Sequence, residues 1–343
     1  MEKGNNMLDQ NRTKQKVLEV MDLSTSFYTS SGIIRAVKNV NLSLYKNQCL
    51  ALIGESGAGK SVTSLSIMRM VPSPGTICGG AIMMNGRNLL EMPGKEFRKL
   101  RGTQLSMMFQ DPLASLNPVI TVGAQIRETI LAHRKTKKKE AEMFALEKLR
   151  ALKLPAQRVY NSYPFQLSGG MRQRASLALA LILHPQILIA DEPTSSLDVT
   201  LQGQILAELN RQLSECCLSL LFITHDLAAA ASIANRVAVM YGGMIVEEGP
   251  LREVFNNPCH PYTRALIKSH PSFCSSNRLE AITGSAPRTF ENIEGCPFHP
   301  RCNEVKPLCR EIIPSTEPVS SKRSAACHLL TFAGSQAGQG GSS

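Results

Sequence analysis

Residues 49–61, CLALIGESGAGKS, join a short apolar run to a turn with three glycines that ends in Lys60 and Ser61. A continuous apolar run of this length predicts a strand buried on both faces. The turn matches G-x-x-x-x-G-K-[ST], in which backbone N–H groups at a helix N-terminus surround phosphate oxygens. The next stretch, SVTSLSIMRM, is helical in character. The sequence therefore predicts an α/β fold that binds a nucleoside triphosphate.

The glycine-rich turn supplies the first group of predicted site residues. We expect Lys60 to reach the β- and γ-phosphates and the Ser61 hydroxyl to bind Mg²⁺. The remaining contacts are expected from the backbone along the turn. The predicted nucleotide-binding residues are Gly54, Ser56, Gly57, Gly59, Lys60, Ser61 and Val62.

A second buried strand is predicted in QILIADEP, residues 186–193, and it ends in two carboxylates. Strand ends of this kind emerge beside the phosphates in phosphoryl-transfer sites. Asp191 is suited to bind Mg²⁺, directly or through water. Glu192 is suited to act as general base on the attacking water.

The segment YPFQLSGGMRQR, residues 163–174, contains a second predicted anion site, because Ser168, Gly169 and Gly170 open an expected helix. LSGGMRQR resembles the signature motif of ABC-family ATPases, and GESGAGKS and ILIADEP lie at the distances from it that this family shows. The resemblance covers about residues 18–256. It implies an α/β P-loop ATPase with an antiparallel β subdomain and an inserted helical subdomain. In that family two such domains pack head to tail, with each ATP between the P-loop of one and the signature of the other.

The resemblance assigns further roles, residue by residue. Gln110, in MMFQDP, matches the glutamine that senses Mg²⁺ and the γ-phosphate and links the site to the transmembrane subunits. Ser196, Leu197 and Asp198 match the loop that communicates across the dimer. His225, in ITHD, matches the switch histidine that contacts the γ-phosphate and helps to orient Glu192. Tyr28 is the nearest match to the aromatic residue that stacks on adenine.

Changes of pattern along the chain indicate its organisation. Residues 18–54 alternate like strands of an antiparallel layer, and helical spacing dominates from 112 to about 185. RVAVMY and MIVEEG around Gly242 and Gly243 predict a closing hairpin. The predicted units are a flexible tail (1–17), the ATPase domain (18–256), a cysteine-rich extension (257–332) and a disordered tail (333–343).

Four cysteines of the extension, Cys296, Cys302, Cys309 and Cys327, follow the spacing C-x5-C-x6-C-x17-C. Four thiolates can bind zinc or an iron–sulfur cluster, and the spacing alone leaves both open. The segments HPYTRALIKS and GCPFHPRC resemble the C-terminal extension of the ATP-binding subunits of oligopeptide and dipeptide importers. That resemblance implies a [4Fe-4S] cluster on these four cysteines.

Composition narrows the class of protein. The net charge of +11 has its densest local source in HRKTKKK, residues 133–139, where no aromatic residue offers a stacking platform for bases. A solvated surface, or one that meets anionic lipid headgroups, fits this run better than a nucleic-acid site. No apolar run approaches the length of a transmembrane helix, and the N-terminus has no apolar core of a signal peptide. We expect a cytoplasmic protein, in which Cys49, Cys78, Cys216 and Cys217 are buried thiols of the core.

Together these observations predict the ATP-hydrolysing subunit of an ABC importer at the cytoplasmic face of the plasma membrane. The resemblance implies two permease subunits, a second related ATPase and, indirectly, an external solute-binding protein as partners. The cargo stays open between peptides, a nickel complex and other small solutes. A soluble ABC ATPase that acts on nucleic acid is disfavoured because the chain has neither a second cassette nor a long coiled coil. An iron–sulfur assembly ATPase is disfavoured because the cysteine unit is C-terminal and follows HPYTRAL.

Overall fold

A computed structural model of the chain describes residues 15–111, 115–195, 197–273, 282, 284 and 293–330. Most of the predicted N-terminal tail, all of the predicted C-terminal tail, and Ser196 lie outside these residues. None of the described helices is long and apolar enough to cross a bilayer.

The first sheet has four antiparallel strands in the order β2-β1-β4-β5. Apolar and polar side chains alternate along its two long strands, so one face is buried in a core that also contains residues 50, 52 and 67 and the other is exposed. This sheet confirms the predicted antiparallel layer. Its strands are β1 (Lys16–Thr29), β2 (Gly32–Tyr45), β4 (Gly75–Met84) and β5 (Arg87–Asn88).

The second sheet has eight strands in the order β11-β12-β10-β9-β3-β8-β7-β6. From β6 through β3 to β9 the neighbours are parallel, and β9 and β10 form the predicted antiparallel hairpin around Gly242 and Gly243. Every residue of β3, β7 and β8 is buried, as their apolar sequences predict. The strands are β3 (Cys49–Ile53), β6 (Leu105–Met108), β7 (Ile187–Asp191), β8 (Ser219–Thr224), β9 (Arg236–Tyr241), β10 (Met244–Pro250), β11 (Glu317–Ser320) and β12 (Arg323–Ala325).

The helices lie on both sides of the second sheet and in the segment between β6 and β7. Those of the described residues are α1 (Lys60–Ile67), α2 (Gly94–Leu100), α3 (Val122–His133), α4 (Lys138–Ala151), α5 (Ala156–Asn161), α6 (Gly169–Leu181), α7 (Val199–Glu215), α8 (Leu227–Ile233), α9 (Leu251–Asn256), α10 (Pro261–Lys268) and α11 (Leu308–Glu311).

Helices α3 to α6 occupy the region where the sequence predicts helical spacing. Thr121 caps α3 by accepting a hydrogen bond from the Ala124 N–H. Apolar residues at three- and four-residue intervals, such as Ile126 and Ile130 of α3, pack against Ala145 and Leu149 of α4. Helix α6 also packs against β6, so this helical group rests on one edge of the second sheet.

The cysteine-rich extension is joined to that sheet at its other edge, because β12 pairs with β10. The fully buried Glu247 of β10 organises the junction. Its carboxylate accepts hydrogen bonds from the backbone N–H groups of Cys259 and His260. It also forms an ion pair with Arg323 at 2.5 Å. A buried carboxylate needs partners of this kind to offset its desolvation. The strand pairing was not predicted from the sequence.

The prediction that four cysteines are buried thiols of the core is confirmed for Cys49 and wrong for Cys78, Cys216 and Cys217, which are exposed. Cys216 is the C-cap of α7, and Cys217 follows it with a φ of 53°. Both therefore belong to a surface turn between a helix and a strand. Cys78 lies on β4, whose first six residues are exposed or half-buried.

Candidate functional site

The P-loop, residues 54–61, connects β3 to α1 and has the tight turn that its glycines predict. Gly59 caps α1 with a φ of 106°, and a Cβ at this position would lie 2.4 Å from the carbonyl oxygen of Ala36. Only glycine fits there, because both the backbone angle and the space exclude a side chain. Of the other predicted contacts, Ser56 and Gly57 are exposed, whereas Ser61 and Val62 are half-buried at the start of α1.

Lys60 is buried beneath the P-loop, and its ammonium donates to the carbonyl oxygens of Gly54 at 2.8 Å and Glu55 at 3.0 Å. Burial lowers the pKa of Lys60, and the carboxylates of Glu192, Asp191 and Glu55 oppose that effect. The ammonium thus lies inside the loop, where phosphate oxygens can replace the two carbonyl groups as its partners.

Asp191 ends β7 directly beside the start of α1. Its Oδ1 accepts from the Ser61 hydroxyl at 3.2 Å, and its Oδ2 accepts from Ser64 at 3.4 Å. Burial raises the pKa of Asp191, and the hydrogen bond from Ser61 opposes the rise. Sequence reasoning missed Ser64, although its position three residues after Ser61 places both hydroxyls on one helix face. A hydroxyl and a carboxylate oxygen at this spacing are ligands of the kind that Mg²⁺ prefers.

Glu192 and His225 follow two neighbouring parallel strands, β7 and β8, and their side chains meet. His225 Nδ1 lies 2.7 Å and 2.9 Å from the two carboxylate oxygens of Glu192. Because a carboxylate only accepts hydrogen bonds, Nδ1 carries the hydrogen. The carboxyl side chain is 11% exposed and the imidazole 61% exposed, so the histidine covers the carboxylate from the solvent side. This arrangement can orient a base beside a bound γ-phosphate.

The signature segment, residues 167–174, forms the start of α6 as predicted. Ser168 caps the helix, and its hydroxyl accepts from the Met171 N–H at 3.4 Å. Gly170 touches α7 so closely that a Cβ would lie 2.5 Å from Leu201 Cδ1. Ser168 and Gly169 remain exposed at the helix N-terminus. An exposed N-terminus with small residues is suited to bind an anion from another molecule.

Three other predicted contacts lie at the surface. Gln110 is exposed just after β6. Asp198 is exposed and caps α7 by accepting from the Leu201 N–H at 2.9 Å, while Ser196 of the same loop lies outside the described residues. Tyr28 is exposed near the tip of the β1–β2 hairpin, whose β2 strand reaches the P-loop at Ala36. The nucleotide contacts of these residues stay predictions.

The four cysteines of the extension are brought together. Cys296, Cys302, Cys309 and Cys327 all line one small cavity, here named the cysteine cavity, with His260 on its wall. Burial raises the pKa of Cys296 to about 11, and the pKa values of Cys302 and Cys327 are also raised by burial. Among the residues the structure describes, no three His, Cys, Asp or Glu side chains converge as the ligands of a single metal ion do.

Two contacts between the extension and the P-loop were also missed by sequence reasoning. The Tyr262 hydroxyl accepts from the Glu55 N–H at 2.9 Å, and the Arg301 guanidinium binds the Glu55 carboxylate. Tyr262 lies 207 residues from Glu55 along the chain, and Arg301 lies 246 residues from it. No local pattern signals such contacts.

Known proteins resemble this chain in both sequence and structure. Residues 37–195 match the family described as ABC transporter, and residues 246–309 match the family described as oligopeptide/dipeptide transporter, C-terminal region. A probable peptide ABC transporter ATP-binding protein of Sinorhizobium fredii is 43% identical over 315 residues, which cover 91% of this chain and 94% of that one. The dipeptide transport ATP-binding protein DppD of Bacillus subtilis is 42% identical over 319 residues, covering 92% and 95%.

The fold also matches a solved ATP-binding cassette. The dimeric post-hydrolysis state of MJ0796, bound to ADP and Pi, is 26% identical with a TM-score of 0.63 and covers 68% of this chain and 99% of that one. The match therefore extends across nearly all of the cassette and leaves part of the present chain without a counterpart. Identity above 40% over more than nine-tenths of the two relatives, together with the site geometry, shows that the chain belongs to the ATP-hydrolysing, ATP-binding proteins of ABC transporters and carries the oligopeptide/dipeptide transporter C-terminal region.

Proposed function

We propose that this chain is the ATPase subunit of an ABC importer for dipeptides or oligopeptides. The observation that carries the proposal is its similarity, across both the cassette and the C-terminal region, to proteins named for peptide transport. Neither the P-loop nor Glu192, the proposed general base, identifies the transported substrate. Peptides are therefore inferred from the relatives, and the ATPase chemistry is inferred from the site.

ATP binding is assigned to the P-loop. Phosphate oxygens would replace the carbonyl groups of Gly54 and Glu55 as partners of Lys60. The N–H groups at the start of α1 contact the same phosphates. Ser61, Asp191 and Gln110 are the proposed residues for Mg²⁺, which supplies charge neutralisation of the β- and γ-phosphates when bound. Tyr28 is the proposed stacking residue for adenine.

Hydrolysis is assigned to the pair of Glu192 and His225. The Glu192 carboxylate takes a proton from the attacking water, and His225 holds that carboxylate through Nδ1–H. The Glu192 backbone is also held, because its N–H donates to the Ile223 carbonyl at 2.9 Å and its φ is 48°. A base fixed at both its backbone and its side chain loses little entropy when the water binds.

The position of the signature segment supports a dimer. Helix α6 packs against β6, whereas the P-loop follows β3, three strand positions away in the same sheet. At about 4.8 Å per strand this separation is roughly 14 Å. Ser168, Gly169 and Gly170 are therefore proposed to contact the nucleotide of a second ATPase subunit, with Asp198 near the same interface. A related but different subunit is the proposed partner.

The other proposed partners are two permease subunits at the cytoplasmic face of the plasma membrane, with an external solute-binding protein that delivers the cargo to them. Closure of the ATPase dimer on ATP would open the permease outward, and hydrolysis would reset it. Nucleic acid is not a proposed partner. The ATPase domain (18–256, helical subdomain about 112–185) and the extension (257–332) are the proposed functional units.

The cysteine cavity is proposed to hold a [4Fe-4S] cluster on Cys296, Cys302, Cys309 and Cys327. Four thiols on one cavity are the donor set that such a cluster needs. A further observation fits it. His260 Nδ1 accepts from the Tyr262 N–H at 3.0 Å, so Nε2 carries the hydrogen, and this buried Nε2 has no partner among the described residues. A sulfur atom held in the cavity would be an acceptor for it.

Both parts of the proposal can be tested on one sample. The tagged protein is purified anaerobically from membranes, the copurifying chains are identified by mass spectrometry, and iron and sulfide are assayed. Two permeases, a second ATPase and about four irons per chain are expected for a cuboidal cluster. Copurification with ribosomes or nucleic acid, without a membrane partner, would contradict the importer. Absence of iron with intact membrane partners would contradict the cluster alone.

A further inference from the structure

The cysteine-rich extension binds Glu55 of the P-loop from outside through two of its residues. The Glu55 carboxylate binds both arms of the Arg301 guanidinium, with Nη1–Oε2 at 2.7 Å and Nη2–Oε1 at 3.0 Å. The Glu55 backbone N–H donates to the Tyr262 hydroxyl. Two residues of the extension thus restrain both the side chain and the peptide group of one P-loop residue. We name this set of contacts the Glu55 clamp.

The geometry makes the clamp stiff. Two parallel hydrogen bonds fix the planes of the guanidinium and the carboxylate relative to each other, which a single contact would not. The Arg301 side chain is only 5% exposed, and it also donates to the Tyr241 hydroxyl at 3.2 Å. Release of Arg301 from Glu55 would leave a buried guanidinium without its charged partner and would break these hydrogen bonds, and both effects oppose it.

The clamp acts on the part of the loop that Lys60 uses. Lys60 donates to the carbonyl oxygens of Gly54 and Glu55 from inside the loop, while Tyr262 and Arg301 bind Glu55 from outside. Backbone N–H groups bind phosphate well only if their directions are set before ATP arrives. A loop released at Glu55 would have to be ordered by ATP itself, and that ordering lowers affinity.

The clamp and the cysteine cavity belong to the same short segment. Arg301 directly precedes Cys302, and Phe298 packs between Tyr241 at 5.2 Å and Tyr262 at 5.4 Å. Pro297 contacts the backbone of Gly242 in the β9–β10 hairpin. The next residue of that hairpin, Gly243, donates to the carbonyl of Ala58 in the P-loop at 3.0 Å. The segment that carries the cysteines therefore supports the P-loop at two points.

From these contacts we infer that Arg301 and Tyr262 are positioning residues of the ATP site. They hold Glu55, and through it the P-loop, in the geometry that binds phosphate, so that ATP affinity depends on the folded state of the cysteine-rich extension. The inference rests on the ATP site proposed above.

The test measures ATP affinity in the purified full-length subunit by titration with a fluorescent ATP analogue. Arg301→Gln and Glu55→Gln are each expected to raise Kd by about 5- to 150-fold, the usual range for coupling between two sites. The double variant is expected to bind no more weakly than the single variants, because both remove the same contact. In Arg301→Gln the rate at saturating ATP is expected to fall by a smaller factor than the affinity, because Arg301 lies outside the P-loop and neither Glu192 nor His225 is changed.

Two milder variants keep the test valid if Arg301→Gln does not fold. Arg301→Lys retains the charge but loses the two-armed contact, and Tyr262→Phe removes only the hydroxyl. Each is expected to raise Kd by a smaller factor than Arg301→Gln. The matched control is Arg264→Gln, which breaks the ion pair between Arg264 and Glu304 at 2.9 Å within the extension and is expected to bind ATP as the wild type does.

The outcomes separate the inference from the function on which it rests. Wild-type affinity in Arg301→Lys and Tyr262→Phe, or an equal loss in Arg264→Gln, would overturn the clamp while leaving the ATP site intact. Failure of the wild-type subunit to bind ATP would instead contradict the proposed ATP site. Hydrogen exchange of the P-loop peptide without nucleotide gives an independent readout, because release of Glu55 is expected to speed exchange there and not in β8.

Discussion

Replacing Glu192 with glutamine tests the proposed role of its carboxylate as general base. Glutamine has nearly the same shape, so the packing after β7 is retained. Its amide oxygen can still accept the hydrogen bond from His225 Nδ1–H, the atom now 2.7 Å from Glu192. The substitution therefore removes the basicity and the charge of Glu192 with little change in structure.

Glu192→Gln is expected to slow the hydrolysis step itself. A positioned general base contributes about 10²- to 10⁴-fold to the rate. At about 1.4 kcal/mol per tenfold, this range corresponds to roughly 3 to 5 kcal/mol of transition-state stabilisation. ATP affinity is expected to be unchanged or slightly tighter, because the buried negative charge that is removed lies near the proposed site of the phosphates. The variant should thus bind ATP and fail to turn it over.

The assay compares phosphate release at saturating ATP with ATP binding in the same preparation. Glu215→Gln is the matched control, since it makes the same chemical change in a side chain that is 57% exposed and pairs with Arg211 at the surface. It should behave as the wild type. If Glu192→Gln retained a rate within tenfold of the wild type while binding ATP normally, the carboxylate would not be the base.

Four further substitutions test other parts of the site and of the extension. Lys60→Met should weaken ATP binding by about 10- to 150-fold, the cost of a lost charged hydrogen bond, and binding within threefold of the wild type would contradict the P-loop assignment. Gly59→Ala should lower the free energy of unfolding by about 1 to 3 kcal/mol more than Gly57→Ala. A Cβ at Gly59 would clash with the carbonyl oxygen of Ala36, whereas a Cβ at Gly57 meets no atom within 4 Å. Equal chemical-denaturation midpoints for the two variants would refute this. Burial lowers the pKa of His260 to about 3, so the imidazole stays neutral in the folded protein. In the unfolded chain it takes up a proton below its ordinary pKa of 6.5, so the free energy of unfolding is highest above that pH and decreases as the pH falls. His260→Asn removes the imidazole and keeps a residue that can cap the helix. Between pH 7 and pH 5 the free energy of unfolding of the wild type should fall by about 2 kcal/mol more than that of this variant. If the two fell in parallel, the buried imidazole would not be neutral in the folded protein. If the cysteine cavity holds the proposed cluster, Cys309→Ser should contain less iron than the wild type and unfold at a lower temperature, with exposed Cys216→Ser as control. Unchanged iron in Cys309→Ser would remove that residue from the proposed ligand set.

The positions of the candidate ATP-site residues were predictable because their signals are local. The P-loop glycines, Lys60 and Ser61 are consecutive, and the apolar runs before them and before Asp191 indicate buried parallel strands. The carboxyl ends of neighbouring parallel strands lie at the same edge of a sheet. Because β7 and β8 are neighbours, Glu192 and His225, which follow them, lie close together. Their direct hydrogen bonds needed the structure.

The errors and omissions have a different physical origin. Cys216 and Cys217 stand beside apolar residues in sequence, yet they occupy the turn after α7, where neighbours along the chain do not determine burial. The pairing of β12 with β10 joins residues about 77 positions apart, as Glu248 opposite Ser324 is 76 apart and Glu247 opposite Ala325 is 78 apart. Strand register over that distance depends on tertiary packing, which no single-sequence pattern encodes.

The Glu55 clamp gives a physical reason for the HPY sequence at the start of α10. His260 lies on the wall of the cysteine cavity, Pro261 begins the helix, and Tyr262 reaches Glu55 of the P-loop. Proline at the first helical position fixes the backbone there, so the directions of the histidine and the tyrosine are set relative to each other. The imidazole and the phenol are both buried; the imidazole lines the cysteine cavity, and the phenol oxygen accepts from the Glu55 N–H. Three consecutive residues therefore connect the cysteine cavity to the nucleotide loop, and a change that reorders the cavity has a short, rigid path to the P-loop.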